Sequence, residues 1–373
     1  MRLTIRALDL VSRRGGVLRE LAARIDAVRG LGLRGALQRV RAERALAEHG
    51  DEPWDAVYLQ IWSEAAGELG ASVHELGSGF LELRRGSAVT RVRQQFTELD
   101  GPVALQLALD RRVVFGLLEE AGVPVPDHVE LDATRPEVGI AFLAGGACVV
   151  KPAAGTGVGS GITSGIADEE QLRRALLRAA RYGDLILERQ IPGTVYRFLY
   201  LDGQLLDAVR KLPPSVVGDG RSTIEELVRV ENRRRLDARG SAGFSLLKLD
   251  LDALFTLAAA GLDASSVPPA ATRVIVKNVT NQNRIEDNQT VRREELADEL
   301  VAEGAAAAAA TGLRLAGVDL VATDTERSLQ RSGGRVIEVN GMPGLNHHYN
   351  VSDRTNAVAV AVPILAALLG PNP

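Results

Sequence analysis

Residues 148–166 read CVVKPAAGTGVGSGITSGI, a short apolar run that ends in Lys151 and then breaks into glycines at 155, 157, 159, 161 and 165. This pattern predicts a strand, a mobile glycine loop and a second strand. Glycine tolerates positive φ and lets backbone N–H groups approach an anion that a Cβ would hold off. A lysine at the strand end would share that anion's charge, and phosphate is the natural guest. The order differs from the commoner phosphate loops, because a P-loop lysine follows its glycines and a dinucleotide fingerprint runs straight into a helix. A glycine-rich surface hairpin with an incidental lysine is the competing reading.

With 373 residues, the chain has room for two or three domains, each with its own core. It is 46% hydrophobic and 25% charged, the balance of an ordinary globular protein. A net charge of −4 gives no chain-wide attraction to nucleic acid or anionic membrane, and 4% aromatics argue against base-stacking platforms. The single cysteine, Cys148, cannot form an internal disulfide, which fits a reducing cytoplasm. No apolar run suits a signal peptide or a bilayer span.

Outward from the loop, residues 1–50 are rich in arginine, leucine and alanine and read as helical, with acidic residues interleaved as on a solvated face. Residues 54–75 also take helical spacing, and 79–99 read as a hairpin turning at Arg85-Gly86-Ser87. Residues 1–100 are therefore expected to form a small α+β domain. One helix is expected from about 104 to Gly122, stopped by Pro124 and Pro126, and another between 167 and Gly183. A strand, a Pro192-Gly193 turn and a hairpin at Asp202-Gly203 follow. Ser222 or Thr223 can cap a helix beyond, and residues 240–269 resist assignment. An alanine-rich helix precedes paired strands at LAGVDLVATD and RVIEVNGMPGL, and a helix from about 355 to 369 ends the chain. Two further domains, residues 101–212 and 213–373, complete the expected division.

Alternation along the last strand places Glu338 and Asn340 on one face and sends Ile337 and Val339 to a core. An antiparallel partner would bring Asp319 beside them. Two carboxylates and an amide are hard oxygen donors suited to Mg²⁺, which takes few protein ligands and completes its shell with water and phosphate oxygens. Edge residues of a sheet are the plainer reading, but the Gly341-Met342-Pro343-Gly344 turn would hold the strand end open to a ligand.

Lys151 with its glycine loop, Glu188, Asp319 and the run Glu338-Val339-Asn340-Gly341-Met342-Pro343-Gly344 together resemble the ATP-grasp superfamily of carboxylate–amine ligases. The resemblance extends from about Leu105 onward. Through PPSVVGDGRSTIEELV, residues 213–228, it is nearest to the ATP-grasp part of cyanophycin synthetases, with glutathione synthetases and D-alanine–D-alanine ligases further off. No Mur-ligase-like half follows, so an enzyme with the ATP-grasp site alone is expected. The resemblance implies an α+β fold in which two lobes grip ATP, preceded by the small N-terminal α+β domain. It further implies that Lys151 contacts adenine and a phosphate, and that Gly155, Thr156, Gly157, Gly159 and Gly161 cover the phosphates. Glu188, Arg189 and Ile191 would hold the adenine, with Arg111 and Lys211 near the phosphates. Asp319, Glu338 and Asn340 would hold Mg²⁺, with Mn²⁺ as a substitute. Arg197 matches a recurring arginine, with Arg210 as its competitor. Two departures stand out: Arg111 replaces the usual lysine, and Val195 stands where relatives carry an acidic residue for the ribose.

Such a site implies an ATP-dependent ligase that joins amino-acid-like or peptide substrates through an acyl phosphate, releasing ADP and phosphate. Phosphoryl transfer needs charge neutralisation and alignment rather than a protein nucleophile. His347 and His348 are candidates to orient substrate or accept the amine proton. The amide-rich segment 277–290 is a further candidate on the substrate side. Relatives are often dimers or tetramers. An ATP-grasp small-molecule kinase and an inactive nucleotide-binding regulator are the alternatives.

Overall fold

The computed structural model describes residues 52–133, 135–155, 159–237, 246–282 and 284–371. The helical reading of residues 1–50, together with Thr156 and Gly157 of the glycine loop, lies outside the described residues.

The described chain begins with helix Glu52–Glu68, then a three-stranded antiparallel sheet of β1 (Ser72–Gly77), β2 (Phe80–Arg85) and β3 (Ala88–Arg93). The helix is shorter than its apolar spacing suggested. Gly70, at φ +64°, ends it, and the following residues pair with β2 instead. The one helix expected from about 104 to 122 is two, Pro102–Leu107 and Arg111–Glu120. Asp110 causes the break, because its carboxylate accepts the Arg112 amide at 3.0 Å and starts a new helix.

A smaller sheet has the order β4-β7-β5-β6, all antiparallel, from β4 (His128–Leu131), β5 (Cys148–Pro152), β6 (Thr163–Ile166) and β7 (Leu185–Arg189). Helix Glu169–Ala179 buries Leu172, Ala175 and Leu176 against it. A larger sheet begins with the hairpin β8 (Thr194–Leu201) and β9 (Gln204–Lys211). The two-stranded ribbon β10 (Ser215–Val217) and β11 (Arg273–Ile275) then packs with helices Ile224–Asp237 and Leu251–Ala259 around its own apolar cluster. Thr223 caps the first of these helices and exchanges hydrogen bonds with Glu226. Finally β12 (Asn288–Val291), β13 (Leu315–Ala322) and β14 (Arg335–Asn340) complete the central antiparallel sheet, ordered β12-β9-β8-β13-β14.

Strand alternation gives this sheet two different faces. Tyr196, Phe198 and Tyr200 of β8, with Ala316, Val318 and Leu320 of β13, enter a core shared with helices Arg111–Glu120 and Asp298–Ala310. The opposite face is divided along its length. Leu199, Leu201 and Leu315 meet Tyr58, Ile61 and Trp62 of the first helix and the closing helix Ala361–Leu369. Arg197, Lys211 and Asp319, further along that face, are buried charges. The first helix and the closing helix thus roof one half of a face whose other half is ionic.

Candidate active site

A cleft of about 1220 Å³ is bounded by both sheets, ample for a nucleotide and a second small ligand. From the smaller sheet it receives Lys151, Glu188, Arg189 and, beyond the strand, Ile191. From the central sheet it receives Val195, Arg197, Lys211, Asp319, Glu338 and Asn340. Arg111 reaches it from the first turn of its helix, and Gly155, Gly159 and Gly161 border it from the glycine loop.

On β5, Lys151 shares a face with Val149, whose cross-strand partner is Glu188. The lysine Nζ donates to Glu188 Oε2 at 2.6 Å, with both residues buried. Glu188 Oε1 is buried with no partner among the described residues. A buried carboxylate oxygen without a donor is costly, and an incoming N–H such as that of an adenine amine would relieve it. Arg189 turns elsewhere. Its guanidinium donates to the carbonyls of Gly146 and Phe142 and stacks on the Phe142 ring at 4.3 Å, so only its main chain remains for a ligand.

Gly159 stands at φ +66°, and a Cβ there would lie 2.4 Å from the Asn281 amide nitrogen. Gly159 therefore rests on the amide-rich segment, of which Asn278, Thr280, Asn281, Gln282 and Asn288 line the cleft. Asp252 secures that arrangement by accepting Ser164 N at 3.0 Å, Ser164 Oγ at 2.6 Å and Val279 N at 3.2 Å.

Across the cleft, Asp319 faces Arg197 on β8 and Glu338 on β14. Both Asp319 oxygens accept from Arg197, Nε and Nη2 each at 2.6 Å. Burial alone would raise the Asp319 pKa, but Arg197, Lys211 and Lys151 together hold it below the usual carboxylate value. Burial and the neighbouring Arg197 push the Lys211 ammonium down, while Asp319 and Glu338 oppose them. Glu338 Oε1 accepts Arg111 Nη2 at 2.5 Å, and Arg111 Nη1 donates to the Pro152 carbonyl at 2.9 Å. One arginine thereby ties the two sheets together.

The expected alternation on β14 fails at one place. Asp319 opposes Glu338 but Leu320 opposes Val336, leaving Ile337 as the extra residue of a bulge. Val336 and Val339 are buried in the core, and Ile337 is half-buried in the cleft wall rather than in the core as expected. Glu338 and Asn340 keep the cleft side. Asn340 Nδ2 donates to the Gly317 carbonyl at 3.2 Å, which orients the amide and leaves its oxygen for a cation. Gly317 is a residue the motifs did not single out. A Cβ there would meet Pro343 Cβ at 2.8 Å, so only glycine lets the Gly341–Gly344 turn fold across the strand. A glycine inside a strand was the available signal.

No group of three His, Cys, Asp or Glu able to hold a metal occurs among the described residues. The oxygen set Asp319, Glu338 and Asn340 nevertheless fits Mg²⁺ or Mn²⁺, since such ions need few protein ligands beside phosphate oxygens.

The two adjacent histidines part company. His347 lines the cleft, and burial, with Lys211 and Arg197 nearby, holds its pKa well below 6.5. His348 is fully buried, and its Nδ1 lies 2.6 Å from Asp207 Oδ2 on β9, outside the cleft lining. Arg210 is also outside the cleft lining, on the other face of the sheet, over the Tyr196 ring at 5.9 Å. No helix of the described residues is long and apolar enough to cross a membrane.

No protein-family model matches the chain. Cyanophycin synthetase of Trichormus variabilis is 31% identical over 280 residues, which are 74% of this chain and 31% of that protein. The glutathione biosynthesis bifunctional protein of Enterococcus faecalis is 31% identical over 282 residues, 72% of this chain and 36% of that one. A bifunctional glutathione synthetase structure from Pasteurella multocida superposes with a TM-score of 0.51 at 23% identity, covering 80% of this chain and 41% of that one. The chain spans about a third of the length of the curated relatives it matches. Fold and site together define an ATP-grasp architecture. The chain has the ATP-grasp fold, and its sequence is similar to those of cyanophycin synthetases and bifunctional glutathione biosynthesis proteins.

Proposed function

We propose that the chain is an ATP-dependent carboxylate–amine ligase that joins amino-acid-like or peptide substrates through an acyl phosphate and releases ADP and phosphate. The observation that carries this reading is the shared cleft, where Lys151 and Glu188 of one sheet face Arg197, Lys211, Asp319, Glu338 and Asn340 of the other. The names of the relatives, synthetases of cyanophycin and of glutathione, support the same chemistry.

Glu188 Oε1 would accept the adenine amine, and Lys151 would bridge Glu188 and a phosphate. Arg111, whose Nε is buried without a partner, can turn its guanidinium from Glu338 toward phosphate oxygens. Asp319, Glu338 and Asn340 would hold Mg²⁺, which when bound neutralises charge on those oxygens. Arg197 and Lys211 extend the cationic surface along the central sheet. A substrate carboxylate oxygen attacks the γ-phosphorus, the bond to the β–γ bridging oxygen breaks, and ADP leaves. The amine then attacks the acyl carbon, the carbon–oxygen bond breaks, and phosphate departs. His347, neutral near pH 7, is placed to take the proton that the amine gives up. The glycine loop, whose Gly159 rests on Asn281, would keep water from the acyl phosphate.

Amino acids or short peptides are the proposed partners, the cytoplasm the proposed compartment and a homodimer or tetramer the proposed assembly. Hydroxylamine added to reactions with MgATP and single amino acids or peptides tests the chemistry. A hydroxamate formed with ADP release is the expected result. A stable phosphorylated product would make the protein a kinase, and absence of turnover with every acid would make it a nucleotide-binding regulator.

A further inference from the structure

The N-terminal domain reaches the cleft through Trp54, Tyr58, Gln94 and Gln95, although every residue of the nucleotide and cation sites lies beyond position 100. Tyr58 makes the firmest of these connections. Its hydroxyl donates to Asn346 Oδ1 at 3.1 Å and accepts the Leu345 amide at 3.1 Å, bridging positions nearly three hundred residues apart. The tyrosine is 2% exposed, and Leu345 and Asn346 are buried as well. Packing alone does not account for it, since a phenylalanine would fill the same apolar space without bringing a hydroxyl that must be satisfied. Burial pushes the Tyr58 pKa up, so the group stays protonated and can donate.

The two residues it holds open the short helix Asn346–Tyr349 that carries His347, Leu345 being the residue just before it. A Cβ on Gly344 would lie 2.8 Å from Asn346 Oδ1 and 3.2 Å from His347 Cδ2, so the amide oxygen that Tyr58 grips and the imidazole flank the same glycine. His347 N in turn lies 3.4 Å from the Gly344 carbonyl, and Asn350 N donates to the Asn346 carbonyl at 2.8 Å. Arg197 is close enough to Tyr58 for its charge to act on the phenol. The neighbouring Gln94-Gln95 turn is fixed from the same helix, with Trp62 Nε1 donating to the Gln94 carbonyl at 2.9 Å and Gln94 Nε2 donating to Asp55 at 2.7 Å.

We infer that Tyr58 is a positioning residue of the ligase site: through Leu345 and Asn346 the N-terminal domain sets where His347 stands at the amine end of the cleft. This rests on the ligase reading for its consequence in turnover, but its geometric core does not. The phenolic oxygen is the active feature, and its two hydrogen-bond partners, Leu345 and Asn346, are not among the residues proposed to hold the nucleotide.

The test uses the full chain and its Tyr58→Phe and Asn346→Ala variants, with fluorescent MgADP as the nucleotide probe and ¹⁵N-histidine spectra reporting the His347 ring. The expected result is MgADP affinity within twofold of wild type in both variants, with the His347 ring signals displaced. The Tyr58→Phe/Asn346→Ala double variant should show no larger displacement than Tyr58→Phe alone, because losing the hydroxyl already removes its hydrogen bond to Asn346 along with that from Leu345. Where the wild type turns over, kcat/KM for the amine should fall at least tenfold in Tyr58→Phe while the rate of hydroxamate formation with saturating hydroxylamine falls less than threefold. Unchanged His347 signals in Tyr58→Phe, or equal losses in MgADP affinity, would overturn the inference. A wild type without turnover would remove the ligase reading and leave the His347 spectra to decide the positioning claim.

Discussion

On the central sheet Asp319 gives both carboxylate oxygens to Arg197 and Glu338 takes Arg111, whereas on the smaller sheet Lys151 occupies one oxygen of Glu188 and leaves the other buried and unpartnered. The Asp319 carboxylate is saturated by Arg197, so a ligand must exchange partners with it. Glu188 carries a buried acceptor without a partner, and a donor that reached it would relieve a standing cost. On the proposed reading, an adenine end at Glu188 and an exchangeable phosphate end at Asp319 would suit an enzyme that holds its nucleotide firmly and uses conformational change for chemistry. The Lys151–Glu188 and Arg197–Asp319 pairs are both buried, which gives them weight that exposed ion pairs lack.

The sharpest way to break this contrast is to remove one charge from the saturated centre. Asp319→Asn leaves the Arg197 guanidinium buried without its carboxylate, and stability should fall by about 3–5 kcal/mol as read from urea unfolding. A loss under about 1 kcal/mol would mean that the pair is not a structural centre. Glu338→Gln separates catalysis from folding, because the Glu338 side chain is 33% exposed against 8% for Asp319. Turnover should drop about a hundredfold while the unfolding midpoint stays near wild type. Near-wild-type turnover would take Glu338 out of the site.

A smaller effect lies in pH. Burial, reinforced by Lys211 and Arg197, holds His347 below its ordinary 6.5. Its neutral form is the one the fold favours, so the stability it contributes is fully present above pH 6.5 and is lost as pH falls toward its folded value. The acid limb of the rate profile should therefore lie below pH 6.5 and change position in His347→Gln. A profile identical to wild type would remove His347 as the proton acceptor. The smallest expected effect lies away from both centres. Backbone and side-chain hydrogen bonds from Ser222, with that of the Arg221 amide, draw Asp219 down to about 2, and it is exposed. Its contribution is present above the ordinary 3.8 and is lost as pH falls through about 2. Asp219→Ala should leave turnover unchanged and flatten only the acid end of a thermal-stability profile below pH 4.

Local pattern carried much of this site. A lysine before spaced glycines, and a Glu-x-Asn strand ending in Gly-Met-Pro-Gly, are legible because strand alternation and glycine's backbone freedom translate directly into who faces a ligand. The bulge at Ile337 was not legible, since one extra residue in a ladder leaves no compositional trace. The helix break at Asp110 could have been read, because an aspartate two residues ahead of an amide it can accept is a cap. Neighbouring histidines with opposite fates, His347 in the cleft and His348 on Asp207, depend on a short helix whose partners lie more than a hundred residues away. Tyr58 is the hardest case. In an amphipathic helix it reads as core, and only the folded chain shows its hydroxyl against Asn346.

The central claim is that Lys151 and Glu338 serve one nucleotide from opposite sheets. Equilibrium binding of fluorescent ADP to the full chain, with and without Mg²⁺, tests it most directly in Lys151→Met and Glu338→Gln. Lys151→Met should weaken binding at least tenfold under both conditions. Glu338→Gln should weaken it with Mg²⁺ present, and in EDTA should leave it equal or tighter, because a negative charge has been removed beside the phosphates. Wild-type affinity in Lys151→Met, or a Glu338→Gln loss that is indifferent to Mg²⁺, would contradict a shared nucleotide.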